Sequence, residues 1–498
     1  MIDLAVVHYH LLPGGVTSVI RDGLRAVLQH RPGLLRSIHL MAGRPEGVET
    51  VRAALRAAAA DAGADTVVQA TVDPLLDYSG RGSASPDAWS FAAVSGPDAV
   101  WWIHNHHVGK NTPFTRALLH GAARGDARVL LQIHDFPECG RIDGYQQVRA
   151  ALGTELYPFG PRLRYAVINR RDHEALAAAG IPDACLHLLW NPVLPSPIEP
   201  GSERLAPLMP GGRRLWLYPV RIRRRKNVLE AGLLARLAGR AAVGVTLPAS
   251  STAEASYHRQ TGALFRDGTL PGRIGFGGQP RFRDRSLGAL AAGADAVVSS
   301  SIEEGFGYQF LHARQWRLPL IARDIDAIDG VRDLLHPQST VLYDRLQCPL
   351  TRADRLHLSG RYRARLKRLR PYVPQATLDQ VADQVAADTG GPLVDYSYLS
   401  VELQQAVAVR CTCDTELRRH RAANADLIER VRAVHPPHPP DRAVDLLERR
   451  FGAAAFAARA AEALSWPPAA GGEGMADAAS VAARFAAAPY QRLLLDPL

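Results

Sequence analysis

Val297-Val298-Ser299-Ser300-Ser301-Ile302-Glu303-Glu304-Gly305-Phe306-Gly307-Tyr308-Gln309-Phe310-Leu311-His312-Ala313 is the stretch that decides the fold. The apolar run at 296–299 predicts a buried strand, and Phe310, Leu311 and Trp316 supply the apolar positions of a following helix. Glu304 and two glycines form the turn between them. Such a turn brings backbone N–H groups and the positive end of a helix to the carboxyl end of a strand, where α/β folds bind phosphorylated ligands.

The turn resembles the signature of the retaining glycosyltransferases of family 4, which have the GT-B fold. In that family a Glu-Gly-Phe-Gly turn is followed by a second Glu eight residues after the first. Glu304, Gly305, Phe306 and Gly307 match the first half, whereas His312 stands where the second Glu is expected. The resemblance implies that all five positions lie at a nucleotide-sugar donor and that Glu304 orients the sugar hydroxyls. An α/β turn with incidental glycines is the alternative.

The chain has 498 residues, of which 47% are hydrophobic, so two domains and an appendage are expected. Its first residues enter a predicted strand at once, without a basic segment, a long apolar run or a cleavage site. No stretch reaches the ~18 uninterrupted apolar residues of a membrane-spanning helix. These features predict a cytoplasmic protein.

The five cysteines are scattered, and Cys411 and Cys413 have no second pair with which to complete a zinc tetrahedron. They are interpreted as reduced and structural. A formal net charge of +10 favours anionic partners, which include nucleic acid, a lipid surface and phosphorylated metabolites. No nucleic-acid-binding motif with interleaved aromatic residues is present, so small phosphorylated ligands are the simpler prediction and nucleic acid is not expected.

Residues 1–195 alternate between strand-like and helical patterns, which predicts a doubly wound parallel sheet. The predicted strands lie at 2–7, 37–41, 66–69, 100–103, 129–133, 164–168 and 185–189, with helical patterns at 16–29, 51–62, 114–123 and 172–179. This segment is interpreted as an N-terminal Rossmann-like domain that binds the acceptor.

The turn after the first strand contains Tyr9, His10, Gly14 and Gly15. Two glycines at a helix N-terminus allow a close backbone approach to a diphosphate or an anionic acceptor. The turn resembles the first glycine loop of the family, which lies beside the acceptor and the leaving group. Tyr9 and His10 are therefore assigned to the acceptor and the glycines to the donor, with an ordinary βα turn as the alternative.

Polar residues also follow the predicted strands at 100–103 and 129–133. In a sheet of this kind the carboxyl ends of the strands face the ligand crevice. His106 occupies the place of a family histidine that contacts the donor sugar near the reacting carbon. Lys110, His134 and Asp135 are assigned to the acceptor by the same resemblance. A metal cluster is the rival interpretation, but no His-Glu-x-x-His spacing supports it. Asp135 could instead cap a helix.

Prolines crowd residues 191–210 and predict a linker. The next domain, 211–345, is interpreted as a second Rossmann-like domain that binds the donor. Arg221 and Lys226 match the family's Arg and Lys that hold the diphosphate, where two fixed cations stabilise leaving-group charge without a metal. Gly277 resembles the loop near the nucleotide base. A solvated basic turn is the alternative, and the Asp-x-Asp at Asp324 is interpreted as a capping loop.

Residues 346–498 are predicted as a helical extension, part of which crosses back to the first domain. It contains a helix pair at 400–434, a helical stretch at 441–464, a loop at 467–474 and a last helical piece at 481–495. A cationic helix around Tyr362, Leu366 and Leu369 could make a weak peripheral contact with an anionic membrane, or pack on the core with its charges in water. The sequence makes no prediction of oligomeric state.

The predicted fold class is α/β, with two facing Rossmann-like domains of the GT-B type, a cleft between them and a helical C-terminal extension. The leading function is transfer of a sugar from a nucleotide-diphosphate donor to a small hydroxyl acceptor, which could be anionic. No cofactor and no metal are expected, and retention at the anomeric carbon comes from the resemblance. A glycoside phosphorylase and a noncatalytic nucleotide-sugar sensor or scaffold are the alternatives.

Overall fold

A computed structural model describes residues 1–78, 89–91, 96, 99–198, 212–249, 251–437, 442–466 and 472–496. The chain divides into two units, each built from two separate segments. The first comprises Met1–Leu194 and Leu446–Phe485, and the second comprises Pro195–Asp445 and Ala486–Leu498. Most of the predicted linker, the residues at 438–440 and part of the predicted loop at 467–474 lie outside the described residues.

The first unit is built on a seven-stranded parallel sheet with the strand order β3-β2-β1-β4-β5-β7-β8. Every strand predicted at 1–195 is confirmed. Most of them are apolar runs buried by helices on the sheet faces, whereas the strand at 67–72 is mostly exposed. The elements are β1 (Ile2–His8), α1 (Gly15–His30), β2 (Leu35–Ala42), α2 (Val48–Asp61), β3 (Val67–Val72), β4 (Ala99–His104), α3 (Thr112–Ala123), β5 (Arg128–Ile133), α4 (Ile142–Leu152), β6 (Pro158–Phe159), β7 (Leu163–Val167), α5 (Arg170–Ala178) and β8 (Leu186–Leu188).

The strand order of the first sheet reverses at β1, which pairs with β2 on one side and with β4 on the other. Parallel α/β sheets bind ligands at the carboxyl ends of the strands that flank such a reversal. The segments after β1 and β4 are those that carry Tyr9, His10 and His106. The fold therefore brings two predicted acceptor residues, Tyr9 and His10, and the predicted donor-sugar contact His106 to the edge where a ligand is expected.

The second unit is built on a six-stranded parallel sheet with the order β11-β10-β9-β12-β13-β14, which reverses in the same way between β9 and β12. The strand predicted at 296–299 is confirmed. The elements are β9 (Arg214–Arg221), α6 (Val228–Ala238), β10 (Ala241–Leu247), α7 (Thr252–Arg266), β11 (Gly272–Ile274), α8 (Leu287–Ala291), β12 (Ala296–Ser299), α9 (Tyr308–Gln315), β13 (Leu320–Arg323) and β14 (Thr340–Tyr343).

Residues 346–445 lie within the second unit. Their elements are β15 (Gln347–Pro349), α10 (Arg352–Lys367), α11 (Gln375–Gly390), β16 (Leu393–Asp395), α12 (Val401–Arg410), α13 (Asp414–Ala423), α14 (Ala425–Ala433) and the first part of α15 (Arg442–Phe451). The predicted helix pair at 400–434 is wrong, because the 411–413 turn and Asn424 divide this stretch into three helices. Tyr362, Leu366 and Leu369 are buried, as expected if α10 packs on the core.

The chain then returns to the first unit through the rest of α15, α16 (Ala453–Leu464), β17 (Gly474–Met475) and most of α17 (Ala478–Ala486). Phe456 of α16 is fully buried in the same hydrophobic core as α1 and α2. A Cβ built on Gly23 of α1 would lie 2.8 Å from the Phe456 ring, so this helix pair requires a glycine. None of the helices in the described ranges is long and apolar enough to cross a membrane.

Candidate functional site

The site of the second unit is formed by two turns, one after β9 and one after β12. The first ends in a short 3-10 turn, Arg224–Lys226, and the second runs from Ser300 to Gly307. The amide of Ile302 donates to the backbone oxygen of Arg225 at 2.9 Å, which joins them directly. The predicted basic turn and the predicted glycine turn therefore belong to one site.

Lys226 and Glu304 form an ion pair at the centre of this site. Only 9% of Lys226 and 5% of Glu304 is exposed. Burial lowers the pKa of Lys226, although the Glu304 charge opposes this shift. Burial alone would raise the pKa of Glu304, but the charges of Lys226 and Arg225 outweigh it and hold that pKa below its usual value. Glu304 is accordingly an anion at neutral pH.

Neighbouring polar groups fix both partners of this pair. The Gln309 amide donates to Glu304 at 2.6 Å and to the hydroxyl of Ser299 at 3.2 Å. The Tyr218 hydroxyl donates to the backbone oxygen of Lys226 at 2.7 Å, and the Ser300 hydroxyl donates to that of Asn227 at 2.8 Å. Because the backbone of the basic turn is held from the sheet side, the position of the Lys226 ammonium is well defined.

The other basic residues of the turn differ in their environment. Arg221 is half-buried at the end of β9 and donates to the backbone oxygen of Pro248 at 3.0 Å. Arg225 is 3.8 Å from Glu303, whereas Arg223 is exposed. The interpretation of the whole run as a solvated basic turn is wrong for Lys226, which is buried with its partner.

The glycines of the predicted donor loops have identifiable geometric roles. Gly307 has a φ of +81° at the start of α9, a conformation that favours glycine. A Cβ on Gly277 would lie 2.8 Å from the backbone oxygen of Thr246. Phe306 is buried and meets Tyr308 edge-on at 4.9 Å, while Gly305 between Glu304 and Phe306 is half-buried.

His312 lies on α9, stacked between Tyr308 and Trp316 with ring centroids at 5.8 and 5.1 Å. Its Nδ1 is 3.0 Å from Oε1 of Gln315. With that oxygen as acceptor, Nδ1 carries the proton and Nε2 is left as an acceptor. Burial lowers the pKa of His312, so the ring is neutral at pH 7.

A buried charge network lies directly behind the basic turn. Arg323, which is 1% exposed, donates to Glu230 at 2.7 Å and to Asp395 at 2.8 Å. Asn227, with a φ of +49°, donates to Glu230 at 2.6 Å. Arg492 donates to Asp395 at 3.0 Å. The network holds Asn227, the residue after Lys226, through side chains from distant parts of the sequence. No local motif could therefore have predicted this network.

In the first unit, His104 and His134 lie side by side at the carboxyl ends of β4 and β5, with Nδ1 of His104 3.0 Å from Nε2 of His134. The amide oxygen of Asn105 accepts from the backbone amide of His134 at 2.7 Å and from that of Asp135 at 3.2 Å. Asp135 is paired with Arg141 at 3.0 Å. Since the next helix begins only at Ile142, the alternative in which Asp135 caps a helix is wrong.

His106 and His107 stack on each other at 4.6 Å, and both are fully buried. None of their four ring nitrogens has a hydrogen-bond partner among the described residues. Burial lowers the pKa of both rings, to about 3 for His107. The backbone oxygen of His106 accepts from the hydroxyls of Tyr9 at 2.7 Å and Thr115 at 2.5 Å, so Tyr9 braces this turn.

His10 and Lys110 surround Tyr78 together with Arg44. Nε2 of His10 is 3.0 Å from the Tyr78 hydroxyl, and the charges of Arg44 and Lys110 lie 5.2 and 5.6 Å from its ring centroid. Arg44 is also paired with Asp77 at 2.6 Å. An open cavity of about 660 Å³ beside Lys110 is lined by Gly109, Lys110, Thr112, Gln147, Ala150 and Ala151. Lys110 belongs to both the Tyr78 cluster and the cavity, which has room for a small anion.

Gly14 and Gly15 start the 16-residue helix α1 and are exposed. A Cβ on Gly15 would have no neighbour within 4 Å among the described atoms, and one on Gly14 would lie 3.8 Å from the backbone oxygen of Leu12. These glycines therefore do not relieve a clash, and the helix N-terminus is open to an anion. No cluster of three or more metal-ligating side chains occurs in the described part of the chain.

No protein-family model matches the chain. It is 24% identical over 473 residues, 90% of this chain and 88% of the relative, to the mannosylglucosyl-3-phosphoglycerate synthase of Petrotoga mobilis. Anabaena Alr3699/HepE in complex with UDP and glucose aligns with a TM-score of 0.50 and 13% identity, covering 93% of this chain and 99% of that one. Its complex with UDP-glucose aligns over the same shares with a TM-score of 0.51 and 14% identity. The predicted α/β fold class with two Rossmann-like sheets is confirmed.

Proposed function

We propose that this chain is a glycosyltransferase that moves a sugar from a nucleotide-diphosphate donor to a small anionic hydroxyl acceptor, with retention at the anomeric carbon. The Lys226–Glu304 pair at the strand-order reversal of the second sheet is the observation that carries the proposal. The similarity to a glycoside-forming synthase over 90% of the chain supports it. We also propose that the protein acts in the cytoplasm.

Each partner of the pair has a separate role in this reaction. Breaking the bond between the sugar and the diphosphate leaves negative charge on the phosphate oxygens, and Lys226 and Arg221 stabilise that charge. Glu304, held ionised by Lys226 and Arg225, accepts hydrogen bonds from sugar hydroxyls and orients the ring. The 300–307 turn brings backbone N–H groups to the same place.

The acceptor is assigned to the surface formed by His10, Arg44, Tyr78 and Lys110. Lys110 lines an open cavity, and this cation favours an acceptor that carries a phosphate or a carboxylate. The name of the Petrotoga relative points to a phosphoglycerate group. His106 keeps its proposed role near the reacting carbon, which requires its enclosed ring to become accessible when substrates bind.

A panel of UDP-, GDP- and ADP-sugars with 3-phosphoglycerate and its glucoside tests the function. We expect free nucleoside diphosphate and a new glycoside, whose anomeric proton coupling reports retention. Phosphorolysis of a glycoside without nucleotide would identify a phosphorylase instead. Nucleotide-sugar binding without turnover on any acceptor would identify a sensor or scaffold.

His312 gives the donor site a pH dependence. We propose that its Nε2 accepts from a ribose hydroxyl, because Gln309 is already used by Glu304 and Ser299. Protonation removes this acceptor, and because burial lowers the pKa of His312, nucleotide affinity should fall only at pH values below about 6.5. Calorimetric titration with UDP or GDP measures this fall. His312→Glu should bind and show a flatter profile; abolished binding in this variant with normal binding in His312→Ala would contradict the role.

We expect transfer to need no divalent metal, because Lys226 and Arg221 supply the positive charge. Asp324 and Asp326 have other partners: Asp324 is paired with Arg332 at 2.7 Å, and Asp326 accepts from the Tyr490 hydroxyl. The predicted capping role of this loop is wrong, since Ile325 is the N-cap of the short 3-10 helix that follows. Activity should be equal with EDTA and with added Mg²⁺ or Mn²⁺. Loss in EDTA that either metal restores would refute this expectation.

A further inference from the structure

Residues 488–496 pack against the second unit at the back of its site. Leu493 and Leu494 are buried, and the Tyr490 hydroxyl donates to Asp326. Arg492 donates to Asp395 of the buried network, and Arg365 of α10 donates to the Gln491 side chain at 3.2 Å. The segment is therefore held along its length by side-chain bonds.

Asp496 connects this segment to the basic turn. Its carboxylate accepts from Arg365 and lies 3.8 Å from Arg361, and its backbone oxygen accepts from the guanidinium of Arg224. The Arg365 side chain is almost fully buried, so its bond to the carboxylate is sheltered from solvent. This bond fixes the Asp496 backbone in the place where Arg224 meets it.

Arg224 is the first residue of the Arg224–Lys226 turn. Its backbone amide donates to Glu254 at 3.2 Å, and its backbone oxygen accepts from the Asn227 amide at 2.8 Å. Because Arg224 and Lys226 belong to the same 3-10 turn, a contact that fixes Arg224 also limits the movement of Lys226. Lys226 is held by the sheet on one side and through Arg224 and Asp496 on the other.

We propose that Asp496 is a positioning residue for donor binding, which acts through Arg224 on Lys226. This inference rests on the proposed function, because it takes Lys226 as the cation that meets the diphosphate. Neither Asp496 nor Arg224 touches the donor in this scheme. Their contribution is to keep the ammonium in place before the nucleotide binds.

Asp496→Ala tests the proposal, with Tyr490→Phe as the matched control that removes one hydrogen bond from the same segment away from the basic turn. Affinity for the tightest-binding of UDP, GDP and ADP should fall about tenfold in Asp496→Ala, the effect of one charge-assisted hydrogen bond, and stay near wild type in Tyr490→Phe. Donor KM should rise while kcat at saturating donor changes little. In an Arg224→Ala background, Asp496→Ala should have no further effect on nucleotide affinity.

Hydrogen exchange of the peptide that spans 222–228 gives a readout without any nucleotide. Asp496→Ala should speed exchange of the turn amides, and Tyr490→Phe should not. Unchanged exchange in Asp496→Ala, or an equal loss of affinity in both variants, would overturn the positioning role and leave the segment as a stabilising element. If the wild-type protein binds no nucleotide, the proposed function fails, and exchange alone decides whether Asp496 orders the turn.

Discussion

Lys226→Ala should lower the rate of sugar transfer by about 10²-fold or more, the usual cost of removing a fixed group that stabilises transition-state charge. The effect should appear in both donor KM and kcat, because the ammonium meets the diphosphate of the bound donor and also the charge that grows as the glycosidic bond breaks. Arg221→Ala should cost a similar factor. Steady-state kinetics with the best donor and acceptor of the panel measure both variants.

Two controls separate chemistry from folding. Arg223→Ala removes an exposed cation from the same turn and should leave turnover near wild type. Lys226→Ala also leaves the buried Glu304 carboxylate without its lysine partner, which costs about 3–5 kcal/mol of stability. The double variant Lys226→Met with Glu304→Gln should recover stability without recovering activity. Unchanged rates in both Lys226→Ala and Arg221→Ala would remove the diphosphate assignment.

The first unit should lose about 5 kcal/mol of unfolding free energy between about pH 7.5 and 5.5. Burial lowers the pKa of its five most deeply buried histidines, to about 3 for His8 and His107 and about 4 for His134, with His104 and His106 also well below 6.5. The unfolded chain binds these protons near pH 6.5 and the folded chain does not, so stability falls as pH drops below that value. Each histidine contributes about 1.4 kcal/mol by pH 5.5, which is about 7 kcal/mol for the five together.

Protonation of Glu138 partly offsets this loss of stability at lower pH. Burial raises its pKa to about 7, so the folded state takes up a proton that the unfolded state does not bind until lower pH. Its contribution of about 2 kcal/mol on acidification is smaller than that of the five histidines together and is included in the net loss.

Urea unfolding of the full chain at a series of pH values measures the loss, and hydrogen exchange of the β4 and β5 peptides assigns it to the first unit. His8→Gln keeps a donor for the backbone oxygen of His104 and should reduce the loss by about 1.4 kcal/mol. His30→Gln, at an exposed position, should change nothing. A stability that is flat down to about pH 5.5 would show that these rings are protonated in the folded state.

The parts predicted from sequence are those in which neighbouring residues determine the structure. The alternation of apolar runs and turns identified the strands of the first sheet and the strand before the Glu304 turn. Lys226 and Glu304 were each assigned to the donor from their own motifs, and the two residues form an ion pair. The bond from the Gln309 amide to Glu304 was not predicted, because it depends on how α9 packs. The three helices at 400–434 were missed because Ala- and Leu-rich stretches look continuous until their breaks are seen in space.

The buried network could not be predicted, because its contacts join residues far apart in sequence. Arg323 meets Glu230 across 93 positions, and Asp395 meets Arg492 across 97. Each looks like an ordinary surface charge in its own segment. Long-range pairs of this kind become visible only when the packing of β13, β16 and α6 is known.

The return of residues 446–485 to the first unit has a consequence for synthesis on the ribosome. The segment that ends at Leu194 is made about 250 residues before Phe456, which covers α1 in the finished unit. At 5–20 residues per second, roughly 15–60 s pass before residue 485 is added. During this interval the nascent chain exposes an unfinished apolar surface on α1, and a fragment that stops near residue 195 would keep it. Coexpression of 1–195 with a peptide that spans α16 should therefore yield more soluble fragment than expression of 1–195 alone.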